Sequence, residues 1–226
     1  MRPDPTRDDE DEEKEALRMN PPKITLPRGN VLLVGAGALP VALLPGWVLY
    51  LRQLYGWQVR VCLTRSATGL VASDALAAIS GRPVLGPEWR PAGGTVEHRE
   101  AAEWADLVIV IPATGAFIAK CAAGITDSLA LATVGFTEAP VFIVPSLGGP
   151  RLRAKAVQRN LAALEEDGYH VLPTETGTSA HTGADDLGAM PSIFTVLRTI
   201  AESGAVHAGG AEPEPHAAAE TAEGAA

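Results

Sequence analysis

Cysteine is scarce: the 226 residues contain two, Cys62 and Cys121, each in an apolar context and neither in a CxxC or Cys/His spacing. This excludes a disulfide framework or a thiolate metal site and predicts no metal. It points instead to buried, reduced thiols and a cytoplasmic setting. A basic stripe is missing too. Lys and Arg number 18 against 27 acids, and the net charge is −9, so no nucleic-acid partner is expected. An unbroken hydrophobic span is also absent. Residues 31–54 are fairly apolar, but Gly35, Gly37, Pro40, Pro45 and Arg52 interrupt them and the preceding segment is acidic. The stretch reads as a strand and a helix, and neither a membrane span nor a signal peptide is expected.

What the chain does have is alternation. Residues 8–15, DDEDEEKE, carry seven acids and one lysine. Residues 1–28 read as a disordered acidic tail, and 204–226, rich in Ala, Glu, Gly and Pro, as a second one. Between them, 29–203 suits one domain. Short apolar runs predict strands at Asn30–Gly35, Gln58–Leu63, Asp106–Ile111, Pro140–Pro145 and Tyr169–Leu172. Helical patterns cover Leu39–Tyr55, Leu70–Ile79, Gly115–Ala123, Asp127–Val134, Leu152–Asp167 and Ser192–Ser203. Pro40 suits a first helical turn, whereas Pro45 predicts a kink. Ser146–Pro150 reads as a flexible loop, and Pro173–Met190, polar and Gly-rich, as a long unpacked lid or binding loop. The order of elements predicts an α/β fold, a doubly wound parallel sheet with helices on both faces.

In such a sheet ligands bind beyond the carboxyl ends of the strands. Gly35-Ala36-Gly37 makes a turn able to cradle a phosphate, or one that needs small residues only for packing. The pattern GxGxxP is not the dinucleotide fingerprint. Thr64 to Thr68 offer hydroxyls and amides to an anion, or an ordinary N-cap to the next helix. Pro112 to Phe117 mark the expected position of a cofactor. His98 is the nearest upstream acid/base candidate, although a lone histidine is as a rule structural.

Taken in order, the motifs resemble the homo-oligomeric flavin-containing cysteine decarboxylases. The likeness runs through His98, Trp104-Ala105-Asp106, an apolar strand, and Pro112-Ala113-Thr114-Gly115-Ala116-Phe117 where the family has Pro-Ala-Ser/Thr-Ala-Asn-Thr. It continues through Ile118-Ala119-Lys120, Gly124, Asp127, Leu129, Ala156-Val157-Gln158-Arg159-Asn160-Leu161 and Glu166-Asp167-Gly168-Tyr169, and spans about residues 29–191. The resemblance implies a flavodoxin-like (Rossmann-like) fold, FMN, and a trimer or dodecamer with flavin at subunit contacts. By position, it implies that Gly37, Ala38, Leu39 and Thr64 to Ser66 hold the phosphate and ribityl chain. Pro112, Ala113 and Thr114 would line the isoalloxazine, and His98 would be catalytic.

Three departures from the family pattern bear on the substrate. Ala116-Phe117 replaces Asn-Thr, which removes amide contacts and adds bulk. The motif Pro-x-Met-Asn-x-x-Met-Trp reads Pro145-Ser146-Leu147-Gly148-Gly149-Pro150-Arg151-Leu152. Ser146, Leu147 and Gly148 therefore mark the substrate position without its asparagine, and Arg151 is the nearest replacement for holding a carboxylate. Finally, residues 177–183 contain no reducing cysteine, and His181 falls near its place. The expectation is a flavin-dependent carbon–carbon lyase: an FMN-dependent oxidative decarboxylase of the C-terminal cysteine of a ribosomal precursor peptide, as in lantibiotic biosynthesis, giving an aminoenethiol. The alternatives are a non-decarboxylating FMN-binding partner, or a decarboxylase of a small thiol acid such as phosphopantothenoylcysteine.

Overall fold

In the computed structural model, which describes residues 21–89, 95–179 and 182–206, all five apolar runs are strands: β1 (Asn30–Gly35), β2 (Gln58–Leu63), β3 (Leu107–Ala113), β4 (Val141–Pro145) and β5 (His170–Val171). They form one sheet in the order β2-β1-β3-β4-β5, with every pairing parallel. This is the flavodoxin-like order. The chain runs outward from β1 to β2 and then crosses back to β3, so the topological switch lies between β1 and β3. β1, β3 and β4 are buried along their whole length, which is why they read as unbroken apolar runs rather than as alternations.

Helices α1 (Leu44–Tyr55), α2 (Ser73–Ser80), α3 (Glu97–Trp104), α4 (Gly115–Ala122), α5 (Leu129–Phe136), α6 (Gly149–Leu152), α7 (Lys155–Glu166) and α8 (Ile193–Glu202) cover both faces. Strand residues alternate between two cores. Leu33, Val61, Ile109 and Phe142 pack with α1, α2 and α8. Leu32, Val34, Val110 and Ile143 pack with α3, α4, α5 and α7. No helix among the described residues is long and apolar enough to cross a membrane.

Several boundaries differ from the sequence expectation. Pro45 does not kink a helix. A separate 3-10 turn, Leu39–Leu43, precedes α1, and each proline sits in the first turn of its own element, where the missing N–H costs nothing. β3 does not stop before Pro112. It runs on to Ala113 through a register shift against β4, a bulge that tolerates the missing donor. Residues 173–190 are not an unpacked loop: β6 (Glu175–Thr178) and β7 (Asp185–Ala189) form an antiparallel hairpin. Ser146–Pro150 is not free either, since it leads into α6 and is bonded to that hairpin. Residues 21–28 pack on the domain instead of belonging to a tail. Ile24 and Leu26 are buried, and Arg28 bonds through its amide and its Nε to Asp106, each at 2.8 Å. The tail expectations for 1–20 and 207–226, and His181, lie outside the described residues.

Candidate active site at the carboxyl edge of the sheet

The first feature of the edge is a joint between β1 and β3. The Ala36 amide donates to the Pro112 carbonyl at 3.1 Å, which ties the glycine turn to the strand-end turn across the switch. The Thr64 amide donates to the Gly35 carbonyl at 3.0 Å, and the Thr64 hydroxyl reaches the same oxygen at 3.3 Å. The ends of β1, β2 and β3 are therefore cross-bonded. The two glycines do different work. A Cβ on Gly35 would lie 2.9 Å from Val41, Leu44 and Leu63 side-chain carbons, so Gly35 is there for packing. A Cβ on Gly37 would overlap the side chain of Ser66 and lie 2.9 Å from its carbonyl carbon. The first and second loops thus meet at Gly37 and Ser66.

The capping alternative for Thr64–Thr68 does not hold. α2 begins at Ser73, after Ala72, with no side-chain cap. Thr68 bonds back to the Arg65 carbonyl, and the Thr64 and Ser66 hydroxyls lie 3.3 Å apart. Among the described residues, the amides of Gly37, Leu39, Arg65 and Ser66 have no hydrogen-bond partner. Unspent amides and hydroxyls converging at strand ends can hold a phosphate dianion without a lysine. That donor set fits the phosphate end of FMN. Ala38 helps to shape the turn, its amide bonding to the Ala36 carbonyl at 2.8 Å.

At the end of β3, Pro112 and Ala113 are buried and Thr114 caps α4, accepting from the Phe117 amide at 3.2 Å. The Ser146 amide donates to the Ala113 carbonyl at 3.0 Å, which brings the ends of β3 and β4 together. Phe117 does not add bulk to the site as expected. Its ring is 4% exposed and belongs to the core under α4. Ala116 is the exposed residue of that turn. Arg151 crosses this corner: a Cβ on Gly115 would stand 3.1 Å from its Nε and 3.4 Å from its Nη2.

The hairpin is latched to the β4–α6 turn at two points. The Leu147 amide donates to the Gly188 carbonyl at 2.8 Å, and the Gly149 amide to Asp186 Oδ2 at 3.1 Å. Gly188 has φ +91°, and a Cβ there would overlap the Leu147 carbonyl oxygen. Between hairpin and domain lies a cavity of about 350 Å³. Its lining includes Leu39, Pro40 and Leu43, Leu187 and Met190 of the hairpin region, and Ser146, Leu147 and Gly148 of the β4–α6 turn. Sequence reasoning missed Asp186 and Gly188. Their only signal was the long polar, Gly-rich run 173–190 that holds them, which singles out neither residue.

His98 sits in the first turn of α3 with its ring edge-on to Trp89 at 5.2 Å and Phe136 at 5.8 Å between centroids. Its Nδ1 is buried without a hydrogen-bond partner. No described contact joins it to Pro112–Thr114. The two thiols are buried: Cys62 lies within β2 and Cys121 in the last turn of α4. Burial pushes the Cys62 thiol up to about 12 and also raises that of Cys121, so both stay protonated and inert.

A family described as Flavoprotein matches residues 20–204. The coenzyme A biosynthesis bifunctional protein CoaBC of Escherichia coli (strain K12) is 34% identical over 154 residues, covering 67% of this chain and 38% of that protein. The chain thus spans well under half the length of that relative. The crystal structure of the FMN-dependent cysteine decarboxylase SpaF is 30% identical with a TM-score of 0.64, covering 76% of this chain and 97% of that one. A PPC decarboxylase mutant complexed with pantothenoylaminoethenethiol has a TM-score of 0.68 at 22% identity, covering 76% of this chain and 95% of that one, a likeness of fold.

Proposed function

The chain belongs to the Flavoprotein family, with FMN-dependent cysteine decarboxylases among its relatives, and from that premise we propose that it is an FMN-dependent oxidative decarboxylase of a C-terminal cysteine in a ribosomally made peptide. The observation that carries this reading is the junction of the amide cradle and the hairpin cavity through Leu39, at one end of the sheet. The cradle residues Gly37, Ala38, Leu39, Thr64 and Ser66 would hold the phosphate and ribityl chain. Pro112, Ala113 and Thr114 would support the ring. When bound, FMN supplies a two-electron acceptor for the cysteine side chain. Oxidation of the CH2–SH group to a thioaldehyde removes two hydrogens. The electron pair of the breaking Cα–carboxyl bond then forms a Cα=Cβ double bond while the C=S π pair moves onto sulfur, and carbon dioxide leaves an enethiolate that takes up one proton. The chain's part is to hold the carboxylate and exclude water under the hairpin. His98 would accept the thiol proton or stabilise the sulfur charge.

The buried thiols favour the oxidative outcome over one in which a protein cysteine reduces the product, so the reducing equivalents pass to an external acceptor such as dioxygen. His98, Trp89 and Phe136 form a surface cluster apart from the strand-end turn, which supports a site completed between subunits of a homotrimer or dodecamer. A second reading, a decarboxylase of a small thiol acid, is favoured by the likeness to CoaBC. FMN-loaded protein is to be incubated with a Cys-ending peptide and, separately, with phosphopantothenoylcysteine. Mass loss of carbon dioxide plus two hydrogens from the peptide is expected. Turnover of the small acid alone would favour the second reading, and turnover of neither would sink both.

A further inference from the structure

The charged groups at the corner between α4, α6 and the hairpin are unevenly paired. Asp186 faces the β4–α6 turn: its Oδ2 stands 4.0 Å from where a Cβ on Gly148 would be, and it accepts from the Gly149 amide. Its charge turns a substrate carboxylate away from that side of the cavity. Arg153 lies beside it, with Nη1 3.1 Å from a Cβ position on Gly149 that Asp186 Oδ1 also crowds. The two side chains share that glycine, although no ion pair joins them among the described residues. No carboxylate is among the atoms nearest the corresponding position on Gly115, where Arg151 lies. Its guanidinium forms no hydrogen bond or ion pair among the described residues. It rests on the bare Cα of Gly115, with Nε 3.1 Å and Nη2 3.4 Å from a Cβ position there that Leu147 Cδ2 approaches to 3.3 Å. An unpaired guanidinium offers a planar fork of donors that matches a carboxylate.

We infer that Arg151 receives the terminal carboxylate of the substrate at the corner between Thr114 and Leu147, and that Gly115 makes room for it. The inference rests on the proposed decarboxylase reading. It makes the substrate class a thiol compound with a free carboxylate, whose remaining length lies in the cavity under the hairpin. Acid is thereby separated from acid amide by one residue, and the Asp186 side of the turn is kept for uncharged parts of the substrate.

The test is a binding measurement on FMN-loaded protein under anaerobic conditions, by calorimetry. The probes are a short synthetic peptide ending in free cysteine and the same peptide as its C-terminal amide. Wild type is expected to prefer the acid by roughly 10- to 100-fold, the range of one charge-assisted pair. Arg151→Gln should abolish the preference, Arg151→Lys should keep part of it, and Gly115→Ala should weaken it by displacing the guanidinium. Arg153→Gln should leave it intact. An undiminished preference in Arg151→Gln, no preference in wild type, or no binding of either peptide overturns the inference. Because the readout is affinity, an Arg151-dependent preference without carbon dioxide release would leave the inference standing and defeat the decarboxylase reading. Turnover with an Arg151-independent preference would do the reverse.

Discussion

Ser66 occupies the space that a β-carbon on Gly37 would need. The two residues come from different strand ends, and their contact closes the amide cradle. Gly37→Ala must push the Ser66 backbone as well as its side chain, an overpacking that costs about 1–3 kcal/mol. FMN affinity, followed by flavin fluorescence on titration of apoprotein, is expected to fall at least about tenfold. A Gly35→Ala variant should lose global stability instead, because its clash is with Val41, Leu44 and Leu63 in the core.

The hairpin latch makes a second expectation. Gly188→Ala places a Cβ on the Leu147 carbonyl at a backbone φ of +91°, so the docked hairpin cannot persist. Limited proteolysis should cut within 175–189 in the variant while the sheet stays folded. Asp186→Ala, which removes only the acceptor for Gly149, should increase cleavage less. Equal resistance in wild type and both variants would mean that the latch does not hold the hairpin.

Asp106 ties the amino edge. Its carboxylate accepts from the Arg28 amide at 2.8 Å and the Asn30 amide at 3.0 Å, and its side chain is 4% exposed. Arg28 is half exposed, so its side-chain pairing contributes little. The two backbone donors matter more. Asp106→Ala leaves them unsatisfied and should lower stability by roughly 2–4 kcal/mol in urea unfolding. Arg28→Ala should cost under about 1 kcal/mol.

The buried thiols predict an alkaline limb. Cys62 is raised from 9.0 to about 12 by burial, with a smaller push from Glu97 and a small opposing pull from Arg60. Between those values the folded chain keeps a proton that the unfolded chain releases. Stability is therefore complete below about pH 9 and falls by up to about 1.4 kcal/mol per pH unit above it. Cys121, Tyr55 and Tyr169 are raised too, chiefly by burial, and act in the same direction. Urea midpoints at about pH 8 and about pH 10.5 should drop for wild type and drop less for Cys62→Ala. An equal drop in both would refute the assignment to Cys62.

Much of the fold was legible in the sequence. Strands buried on both faces must be apolar throughout, so Asn30–Gly35 and Leu107–Ile111 stood out by composition alone. The amphipathic stretch around Val157 and Leu164 marked α7 for the opposite reason, one face buried and the other wet. The hairpin was not legible. Glu175–Thr178 and Asp185–Ala189 bury little side-chain surface, and they are held by bonds to Leu147 and Gly149, far away in the chain.

The order of motifs by itself determined the fold class, the strand-end turns where ligands belong, and the family resemblance. These depend on local composition and spacing, which one chain displays directly. Only the tertiary structure decided which glycine packs and which cradles, that Phe117 faces the core, that the Thr64–Thr68 hydroxyls cap no helix, and that Arg151 lies over Gly115 while Asp186 guards Gly148. Each of these is a contact between residues distant in sequence. The direction of a side chain there is set by the close approach of another strand end, and no local pattern encodes it.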